Sequence, residues 1–317
     1  MFNNIEIEAM YWFYKIIEKI EKLDYQGPYI FFVTPDHIGD IFRAASLVKT
    51  FKETYGKNVV MILPNEKYRF FEKMFSSIDD ILVMEYKDIF LKSVIVGPFL
   101  SFLNFNFAKV IFAHPRAFEN KIPYSLKLPW SQIFKIQLGL PIDADESLPD
   151  ISYCSNYDPH KIINKKSVLL VPQAKTLKMN DVFTSLLFTI LARIFEKEGY
   201  TIYINNPGKL EKEYKGLWEG TNYKPIYSPL ENLMCLFPHF SFIISVRNGL
   251  CDLAIAVNSR IVMLYPEGYS YNLKHIDYFT LKHVKKRAKF AEVEISDEEK
   301  YIEREALKII KAVKKLL

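Results

Sequence analysis

Apolar runs and amphipathic segments alternate regularly along this chain, and the alternation occurs twice. Continuous apolar runs such as 29–34 and 58–63 have the length and composition of buried strands. Segments that follow such runs, for example 39–55, carry apolar residues at helical spacing. Strands and helices that alternate in this way form βαβ units, which build a largely parallel sheet. The pattern therefore predicts an α/β fold.

The alternation stops in the segment 141–166, which is polar, lacks periodicity and contains Pro141, Pro149 and Pro159. We interpret this segment as the connection between two domains. A length of 317 residues suits two domains of about 150 residues each. We therefore predict two doubly wound, Rossmann-like domains, 1–150 and 151–317, and an amphipathic helix, 5–23, at the start of the first.

The individual elements follow from the same pattern. The predicted strands are 29–34, 58–63, 80–84, 94–96, 109–113, 167–172, 201–205, 242–246 and 261–265. The predicted helices after the first are 39–55, 68–75, 181–198, 209–218, 230–237, 250–257 and 297–317. Ligands of such sheets bind at the carboxyl ends of the strands, so functional residues are expected in the loops that follow the strands.

Composition and charge exclude several classes of protein. Half of the residues are hydrophobic, which excludes a disordered chain. The net charge of +5 is too small and too dispersed for a nucleic-acid partner, but it suits an anionic ligand. Cys154, Cys235 and Cys251 form no CxxC pair, so we expect neither a disulfide nor a zinc site and infer a reducing compartment. Without a signal-peptide pattern or an unbroken apolar span, the sequence predicts a cytoplasmic protein.

The first candidate site follows the strand 29–34. In the segment FFVTPDHIGDIFRAA the strand ends at Val33, and Gly39 and Asp40 begin a helix. Free N–H groups at a helix N-terminus bind anions or polar ligands, and a carboxylate at the edge of the sheet can accept a proton from a sugar hydroxyl. The pattern alone leaves open the alternative that Asp40 only caps the helix.

Two more candidate sites lie in the second domain. In FIISVRNGLCDLAIAV, Arg247, Asn248 and Gly249 form a turn between a strand and a helix. Such a turn beside an arginine suits a pyrophosphate, although an ordinary connection from strand to helix has the same pattern. In VLLVPQAKTLKMND, Lys175 and Lys178 follow a strand, where they can reach a phosphate.

Taken in order, these segments resemble glycosyltransferase family 9, which is typified by the lipopolysaccharide heptosyltransferases. IGDIFRAASLVKTFKETYGKNVVMILP is similar to the strand, GD turn and helix with which the family opens, and QIFKIQLGLPIDADESLPDI to its domain junction. SVRNGLCDLAIAVNSRIVMLYPEG is similar to the donor-binding GNDTG turn and the strand after it. The resemblance extends over residues 28–312. It implies a GT-B-type architecture, in which the two domains face each other across a cleft that holds the active site.

The resemblance also assigns roles to particular residues. Asp40 matches the proposed catalytic base of the family, and Lys178 matches a lysine of its donor loop. Asn248 and Gly249 fall on the threonine and glycine of GNDTG. Glu211 lies near the acidic position that is thought to hold the nucleotide ribose.

Two residues of the donor turn depart from the family pattern. Arg247 stands where the family has an aspartate, and Asp252 stands where it has a histidine. A positive charge in place of a negative one implies a different donor or a different grip on the diphosphate. We expect Arg247, Lys178 and the helix that begins at Asn248–Gly249 to compensate the charge of the leaving diphosphate. No metal ion or other cofactor is then required.

The acceptor is expected to bind to the first domain. His37 and Gly39 lie beside Asp40, and His114 and Arg116 follow the predicted strand 109–113, where they can contact an anionic acceptor. The remaining histidines show no metal-binding spacing; they are His160, His239, His275 and His283.

The sequence thus predicts an inverting, metal-independent glycosyltransferase of the hexosyl or heptosyl type, with Asp40 as general base. The donor is a nucleoside diphosphate sugar, and the acceptor is a glycan or lipid-linked glycan of a bacterial surface polymer (lipopolysaccharide, O-antigen or capsule). The aromatic first helix and the basic run 282–289 suit peripheral contact with the inner face of the cytoplasmic membrane. Two alternatives stay open: a sugar-nucleotide epimerase of the same architecture, and a non-catalytic relative that binds a glycan or a partner.

Overall fold

The structure, a computed structural model, describes residues 4–87, 109–114, 127–175, 177–205, 218–270 and 272–317. The chain forms two compact units. The first comprises Met1–Asp150 and two short later stretches, the longer being Asp277–Lys285, and the second comprises most of the chain from Ile151 onwards. The predicted strand 94–96, all but the last residue of the predicted helix 209–218, and the candidate residues Arg116 and Glu211 lie outside the described residues.

The described elements alternate as the sequence predicted. The α-helices are α1 (Asn4–Glu21), α2 (Ile38–Tyr55), α3 (Phe71–Met74), α4 (Trp130–Gln137), α5 (Asp181–Lys197), α6 (Leu230–Leu236), α7 (Gly249–Ala256), α8 (His275–Tyr278) and α9 (Ile302–Leu316). The strands are β1 (Tyr29–Val33), β2 (Asn58–Leu63), β3 (Asp80–Val83), β4 (Val110–Phe112), β5 (Ser167–Val171), β6 (Thr201–Asn205), β7 (Tyr223–Ile226), β8 (Phe242–Val246), β9 (Arg260–Pro266), β10 (Tyr269–Ser270), β11 (Leu273–Lys274) and β12 (Lys289–Ile295).

The first unit contains a parallel sheet, whose order within the described residues is β3-β2-β1-β4. β1 is an inner strand, and Phe32 pairs with Met61 of β2 on one side and with Ile111 of β4 on the other. β1 and β2 are buried over nearly their whole length, which explains their continuous apolar sequences. Because parallel strands end at the same edge, the loops that follow β1 and β4 are neighbours.

Helix α1 packs on this sheet. Its buried face joins a cluster with apolar residues of β1, β2 and β4 and consists of Ala9, Phe13, Ile16 and Ile20. These residues recur at intervals of three and four, as an amphipathic helix requires. The structure confirms the helix predicted for 5–23, and it leaves Tyr11 and Tyr14 exposed on the other side.

Helix α2 connects β1 to β2 and is the main scaffold of the first unit. It ends at Gly56, whose left-handed backbone (φ 60°) lets its N–H donate to the Lys52 carbonyl at 2.8 Å. Arg43 on its buried face donates from Nη1 to Oε2 of Glu146 at 2.8 Å. Lys135 of α4 forms an ion pair with the other oxygen of Glu146 at 3.5 Å. The buried Glu146 thus ties α2 to α4.

The second unit contains a larger parallel sheet, whose order among its described strands is β12-β9-β8-β5-β6-β7. Helices α5 and α9 cover it with side chains such as Leu187, Leu191, Ile309 and Val313, which lie in one buried cluster. The parallel sheets in both units confirm the predicted α/β class.

The sequence analysis missed both edge strands of the larger sheet. β7 contains Pro225, which has no N–H to donate to a neighbouring strand and is therefore confined to edges. β12 has the sequence KFAEVEI, in which charged residues interrupt the apolar ones, and its residues before Ile295 are only half buried or exposed. Neither segment has the continuous apolar run by which the inner strands were recognised. The short helix α4 was also missed.

The expectation that no cysteine forms a disulfide is wrong. Cys154 and Cys235 of α6 form one, with an S–S distance of 2.01 Å and a Cα–Cα distance of 5.3 Å. The two residues are 81 positions apart, and only the fold of the second unit brings them together. Cys251 is free and buried. The inference of a reducing compartment, which rested on unpaired cysteines, loses that support.

None of the described helices, α1 included, combines the length and the apolar composition that crossing a bilayer demands.

Candidate active site and donor-binding turn

The loop after β1 brings Asp40 to the carboxyl edge of the first sheet. β1 ends at Val33, and α2 begins at Ile38 after an N-cap residue, His37, with extended backbone angles (φ −132°, ψ 115°). Asp40 therefore lies in the first turn of α2, where the helix dipole favours a negative charge. Gly39 is part of the same turn. The helix thus begins one residue earlier than the sequence indicated.

Two imidazoles face one oxygen of Asp40. His37 Nδ1 lies 3.3 Å from Asp40 Oδ2, and His114 Nε2 lies 3.5 Å from the same atom. The other oxygen, Oδ1, accepts a hydrogen bond from Trp130 Nε1 at 3.3 Å. The side chains of Asp40 and His114 are 14% and 5% exposed, and that of His37 is 39% exposed. The carboxylate is therefore largely enclosed, and His37 is the most exposed of the three side chains.

The topology of the sheet explains why His114 reaches Asp40. Val33, the last residue of β1, pairs with Phe112, the last residue of β4, and His114 follows two residues later. Helix α4 is attached to the same strand end, because Gln137 Nε2 donates to the Phe112 carbonyl at 3.1 Å. The Trp130 ring of α4 contacts the His114 ring edge-on, with ring centroids 5.1 Å apart. Three separate chain segments thus enclose one carboxylate.

These contacts stabilise the ionised form of Asp40. Burial alone would raise its pKa, but the charge and hydrogen bond of His114, followed by those of His37, outweigh this effect and hold the pKa of Asp40 well below its usual range. Asp40 is therefore ionised at neutral pH. An ionised carboxylate is the form that can accept a proton.

In the second unit, Arg247 is buried and paired. Its Nη1 donates to Oδ2 of Asp252 at 2.7 Å and its Nη2 to Oδ1 at 3.3 Å, and the two side chains are 10% and 4% exposed. Burial would lower the pKa of Arg247, but the neighbouring Asp252 outweighs this and raises it, so the guanidinium stays charged. Arg247 and Asp252, the two departures from the family pattern, are therefore partners in one ion pair.

Asn248 organises the turn between β8 and α7. Its Oδ1 accepts from the backbone N–H of Leu250 at 2.9 Å, so it is the N-cap of the helix that begins at Gly249. Its Nδ2 donates to the carbonyl of Gln173 at 2.7 Å. The turn and the loop after β5 are thus joined at the carboxyl edge of the second sheet.

The two candidate lysines lie in the loop that Asn248 contacts. Lys175 and Lys178 are both exposed, and neither has a hydrogen bond or ion pair with any described residue. They are therefore free to meet an anion, in contrast to Arg247, whose guanidinium is engaged by Asp252. Glu211 and Arg116 stay predictions, since both lie outside the described residues.

The structure thus groups the described candidates into two sets. His37, Gly39, Asp40 and His114 are together in the first unit, and the donor-turn residues are together in the second; these are Arg247, Asn248, Gly249 and Asp252. Sequence reasoning missed Trp130, which contacts both Asp40 and His114. Its signal was weak, because α4 has only eight residues.

One group of residues in the described part of the chain has the composition of a metal site. His37, Asp40 and His114 each offer one ligand atom, and these atoms lie within 4.8 Å of one another.

Comparison with known proteins gives a consistent answer for the fold. No protein-family model and no curated protein sequence matches this chain. Among solved structures, a glycosyltransferase family 9 protein from Veillonella parvula DSM 2008 superposes with a TM-score of 0.56 at 14% identity, covering 93% of this chain and 98% of that one. E. coli ADP-heptose LPS heptosyltransferase II superposes with a TM-score of 0.56 at 14% identity, and the match covers 90% of this chain and 98% of that one. E. coli heptosyltransferase WaaC with ADP superposes with a TM-score of 0.54 at 11% identity, and the match covers 91% of this chain and 100% of that one.

These superpositions define the fold class. The chain has the GT-B fold of glycosyltransferases, as the sequence predicted. Its resemblance to glycosyltransferase family 9, in particular to the heptosyltransferases, is confirmed at the level of the fold.

Proposed function

We propose that this protein is an inverting glycosyltransferase that moves a sugar from a nucleoside diphosphate donor to an acceptor hydroxyl. The observation that carries the proposal is the ionised, largely buried Asp40 at the carboxyl edge of the first sheet, in a chain with a glycosyltransferase fold. Ligands of parallel sheets bind at that edge. The acceptor is a glycan or lipid-linked glycan of a bacterial surface polymer: lipopolysaccharide, O-antigen or capsule.

In the proposed reaction Asp40 is the general base. The acceptor hydroxyl attacks the anomeric carbon, and its proton passes to Asp40 as the new carbon–oxygen bond forms. The bond between the anomeric carbon and the diphosphate breaks on the opposite face, and the nucleoside diphosphate departs with the bonding electron pair. Configuration at the anomeric carbon is inverted. His114, 3.5 Å from Asp40 Oδ2, orients the carboxylate.

The second unit is proposed to bind the donor. The N-terminus of α7, capped by Asn248, offers a positive helix end to the diphosphate, and Lys175 and Lys178 add two cations from the adjoining loop. These groups supply the charge compensation for which other enzymes use a metal ion. Arg247, paired with Asp252, stabilises the shape of the turn. Glu211 is retained as the residue that holds the ribose.

The names of the structural neighbours suggest the first donor to test. The neighbours include an ADP-heptose heptosyltransferase and a heptosyltransferase with bound ADP. An ADP-linked heptose is therefore the first donor candidate, and the departures from the family pattern at Arg247 and Asp252 are the reason to test others beside it.

The acceptor substrate is proposed to approach along the inner face of the cytoplasmic membrane. Exposed Tyr11 and Tyr14 of α1 and the basic run 282–289 suit such contact, although Lys285 of that run is paired with Asp145 at 2.9 Å. Co-sedimentation with vesicles that contain anionic lipid measures this contact, and binding that is insensitive to lipid charge and salt would contradict it.

The experiment that tests the function has two stages. Thermal shift with ADP, GDP, UDP, CDP and dTDP identifies the base, because a bound ligand raises the unfolding temperature. The matching sugar donor is then incubated with glycan acceptors that lack terminal residues, and the products are identified by mass spectrometry and NMR. We expect a glycosylated acceptor in which the anomeric carbon of the transferred sugar has the configuration opposite to that in the donor.

The other outcomes of this experiment are equally clear. Isomerisation of the sugar without an acceptor would assign an epimerase instead. No stabilisation by any nucleotide and no product with any donor would assign a non-catalytic binding protein. Either result would overturn the proposal.

A further inference from the structure

The three residues around the Asp40 carboxylate are of the types that bind transition metals. His37 and His114 supply imidazole nitrogens and Asp40 supplies a carboxylate oxygen. Imidazole suits zinc, copper, iron and nickel, whereas magnesium and calcium prefer sites made of oxygen. Two histidines with one carboxylate are a known ligand set for both zinc and iron sites.

The distances between these atoms also fit an ion. In a tetrahedral zinc site with ligands at about 2.0–2.1 Å, the ligand atoms are about 3.3 Å apart. Asp40 Oδ2 is 3.3 Å from His37 Nδ1 and 3.5 Å from His114 Nε2. The third edge, between the two nitrogens, is at most 4.8 Å.

The surroundings hold two of the three ligands in place. Asp40 is part of α2, and its Oδ1 accepts from Trp130 Nε1, which leaves Oδ2 directed to the imidazoles. His114 is buried beside the Trp130 ring. Ligands that are oriented by neighbouring hydrogen bonds and packing bind metals more tightly than mobile ones do. His37, which is 39% exposed, provides the open side through which an ion can enter.

We propose that His37, Asp40 and His114 form a binding site for one divalent transition-metal ion of the Zn²⁺ type, with three protein ligands and the remaining position open to water or a ligand. The glycosyl transfer proposed above needs no metal ion. The metal site is therefore an additional property of these residues, and it does not depend on that reaction.

One consequence does rest on the proposed function. A metal ion bound to Asp40 Oδ2 withdraws electron density from the carboxylate and so makes it a weaker base towards the acceptor hydroxyl. Bound Zn²⁺ is therefore expected to inhibit glycosyl transfer while it leaves the binding of nucleoside diphosphate to the second unit unchanged.

The binding test uses tag-free, full-length protein that has been dialysed against a chelator in buffer without thiols. Zn²⁺ is added by equilibrium dialysis, and bound metal is counted by elemental analysis; Co²⁺ gives a parallel reading through its visible absorption. We expect one equivalent of Zn²⁺ in the native chain. His37→Ala and Asp40→Asn, which remove ligands, are expected to abolish it at the same free metal concentration.

Two further variants distinguish this site from others. Trp130→Phe removes the hydrogen bond to Oδ1 and reduces the ring that packs on His114, and it is expected to weaken Zn²⁺ binding by about 10–100-fold, the cost of losing a group that orients ligands. His160→Ala removes an exposed histidine of the second unit, close to His239, and this variant is expected to bind one equivalent of Zn²⁺, as the native chain does. Circular dichroism shows whether each variant is folded. If a variant of a buried residue unfolds, the test rests on His37→Ala, which changes a partly exposed side chain.

The results separate this inference from the proposed function. Zn²⁺ binding that is absent from the native chain, or that survives in His37→Ala and disappears in His160→Ala, would overturn the metal site. Glycosyl transfer by the metal-free protein is measured separately. Transfer without metal binding would remove this inference alone, and metal binding without transfer with any donor would remove the proposed function alone.

Discussion

The ion pair between Arg247 and Asp252 gives the sharpest prediction about the second unit. Both side chains are nearly inaccessible to solvent, and two hydrogen bonds of 2.7 and 3.3 Å join them. The change Asp252→Asn keeps the shape of the side chain and removes its charge. It therefore leaves a buried guanidinium without its counter-ion.

The expected loss is large for a single substitution. Breaking a buried ion pair by removing one partner costs about 3–5 kcal/mol, and the remaining amide oxygen can still accept one hydrogen bond, so we expect about 3 kcal/mol. For a unit of this size, such a loss lowers the unfolding temperature by on the order of 10 °C. The double variant Arg247→Gln/Asp252→Asn leaves no charge unpaired and is expected to lose at least about 1 kcal/mol less than the sum of the single variants.

Urea unfolding measures these losses, and the tryptophans allow each unit to be followed separately. Trp218 is buried in the core cluster of the second unit, so its fluorescence in a Trp12→Phe/Trp130→Phe background reports on that unit. Glu294→Gln is the matched control, because it breaks an ion pair with Lys274 that is about half exposed and is expected to cost less than about 1 kcal/mol.

Two results would refute this reasoning. The first is a single variant whose free energy of unfolding falls no further than that of the Glu294→Gln control, or a double variant whose loss equals the sum of the two single losses. Either would show that Arg247 and Asp252 are not coupled. Weakened nucleotide binding in the folded double variant, by about tenfold or more, would show that the guanidinium contacts the diphosphate directly.

Three further predictions concern stability. Glu146→Gln removes the charge that pairs with Arg43 and Lys135, and we expect urea unfolding to show that the first unit is destabilised by about 3 kcal/mol. A loss below about 1 kcal/mol would contradict the role of Glu146 in joining α2 to α4. Cys154→Ser removes the disulfide and is expected to cost about 2–5 kcal/mol without reductant; equal stability of the variant and the oxidised native chain would argue against the disulfide. Gly268→Ala is expected to cost about 1–3 kcal/mol, because the backbone has φ 148° and a Cβ would lie 2.6 Å from the His275 ring; unchanged thermal stability would be the contrary result.

The inner strands and the long helices could be predicted because their burial is visible in the sequence. β1, β2, β5 and β8 are buried on both faces and are therefore continuously apolar. Edge strands carry no such signal: Pro225 in β7 and the interspersed charges of β12 are tolerated because one side of each strand has no neighbour in the described sheet.

Contacts between distant segments could not be predicted from the sequence. Asp40 was recognised from a local strand–turn–helix pattern, and His114 was recognised as a residue after a strand. That both face the same oxygen follows from the pairing of β1 with β4, which single-strand patterns do not reveal. The disulfide could not be predicted for the same reason, since its two cysteines are 81 positions apart in the sequence.

The Arg247 prediction shows how much a motif leaves open about the contacts of a side chain. The turn with Asn248 was predicted, and the helix after it was predicted to within one residue of its observed bounds, Gly249–Ala256. The sequence showed the two departures at Arg247 and Asp252 separately, five positions apart, and a positive charge beside a glycine turn suggested an anionic ligand. In the structure the first turn of α7 brings Asp252 back to Arg247, and the guanidinium donates to that carboxylate; its contact with a diphosphate stays a prediction.

The role of Asp40 as general base is tested most directly by the rate of sugar transfer in Asp40→Asn, measured in chelator-treated protein at saturating donor and acceptor. The amide keeps the size of the side chain and can still accept from Trp130, but it cannot take a proton. We expect kcat to fall by about 10²–10⁴-fold, with the dissociation constant for the nucleoside diphosphate unchanged. A variant that transfers sugar within a few-fold of the native rate would contradict the account.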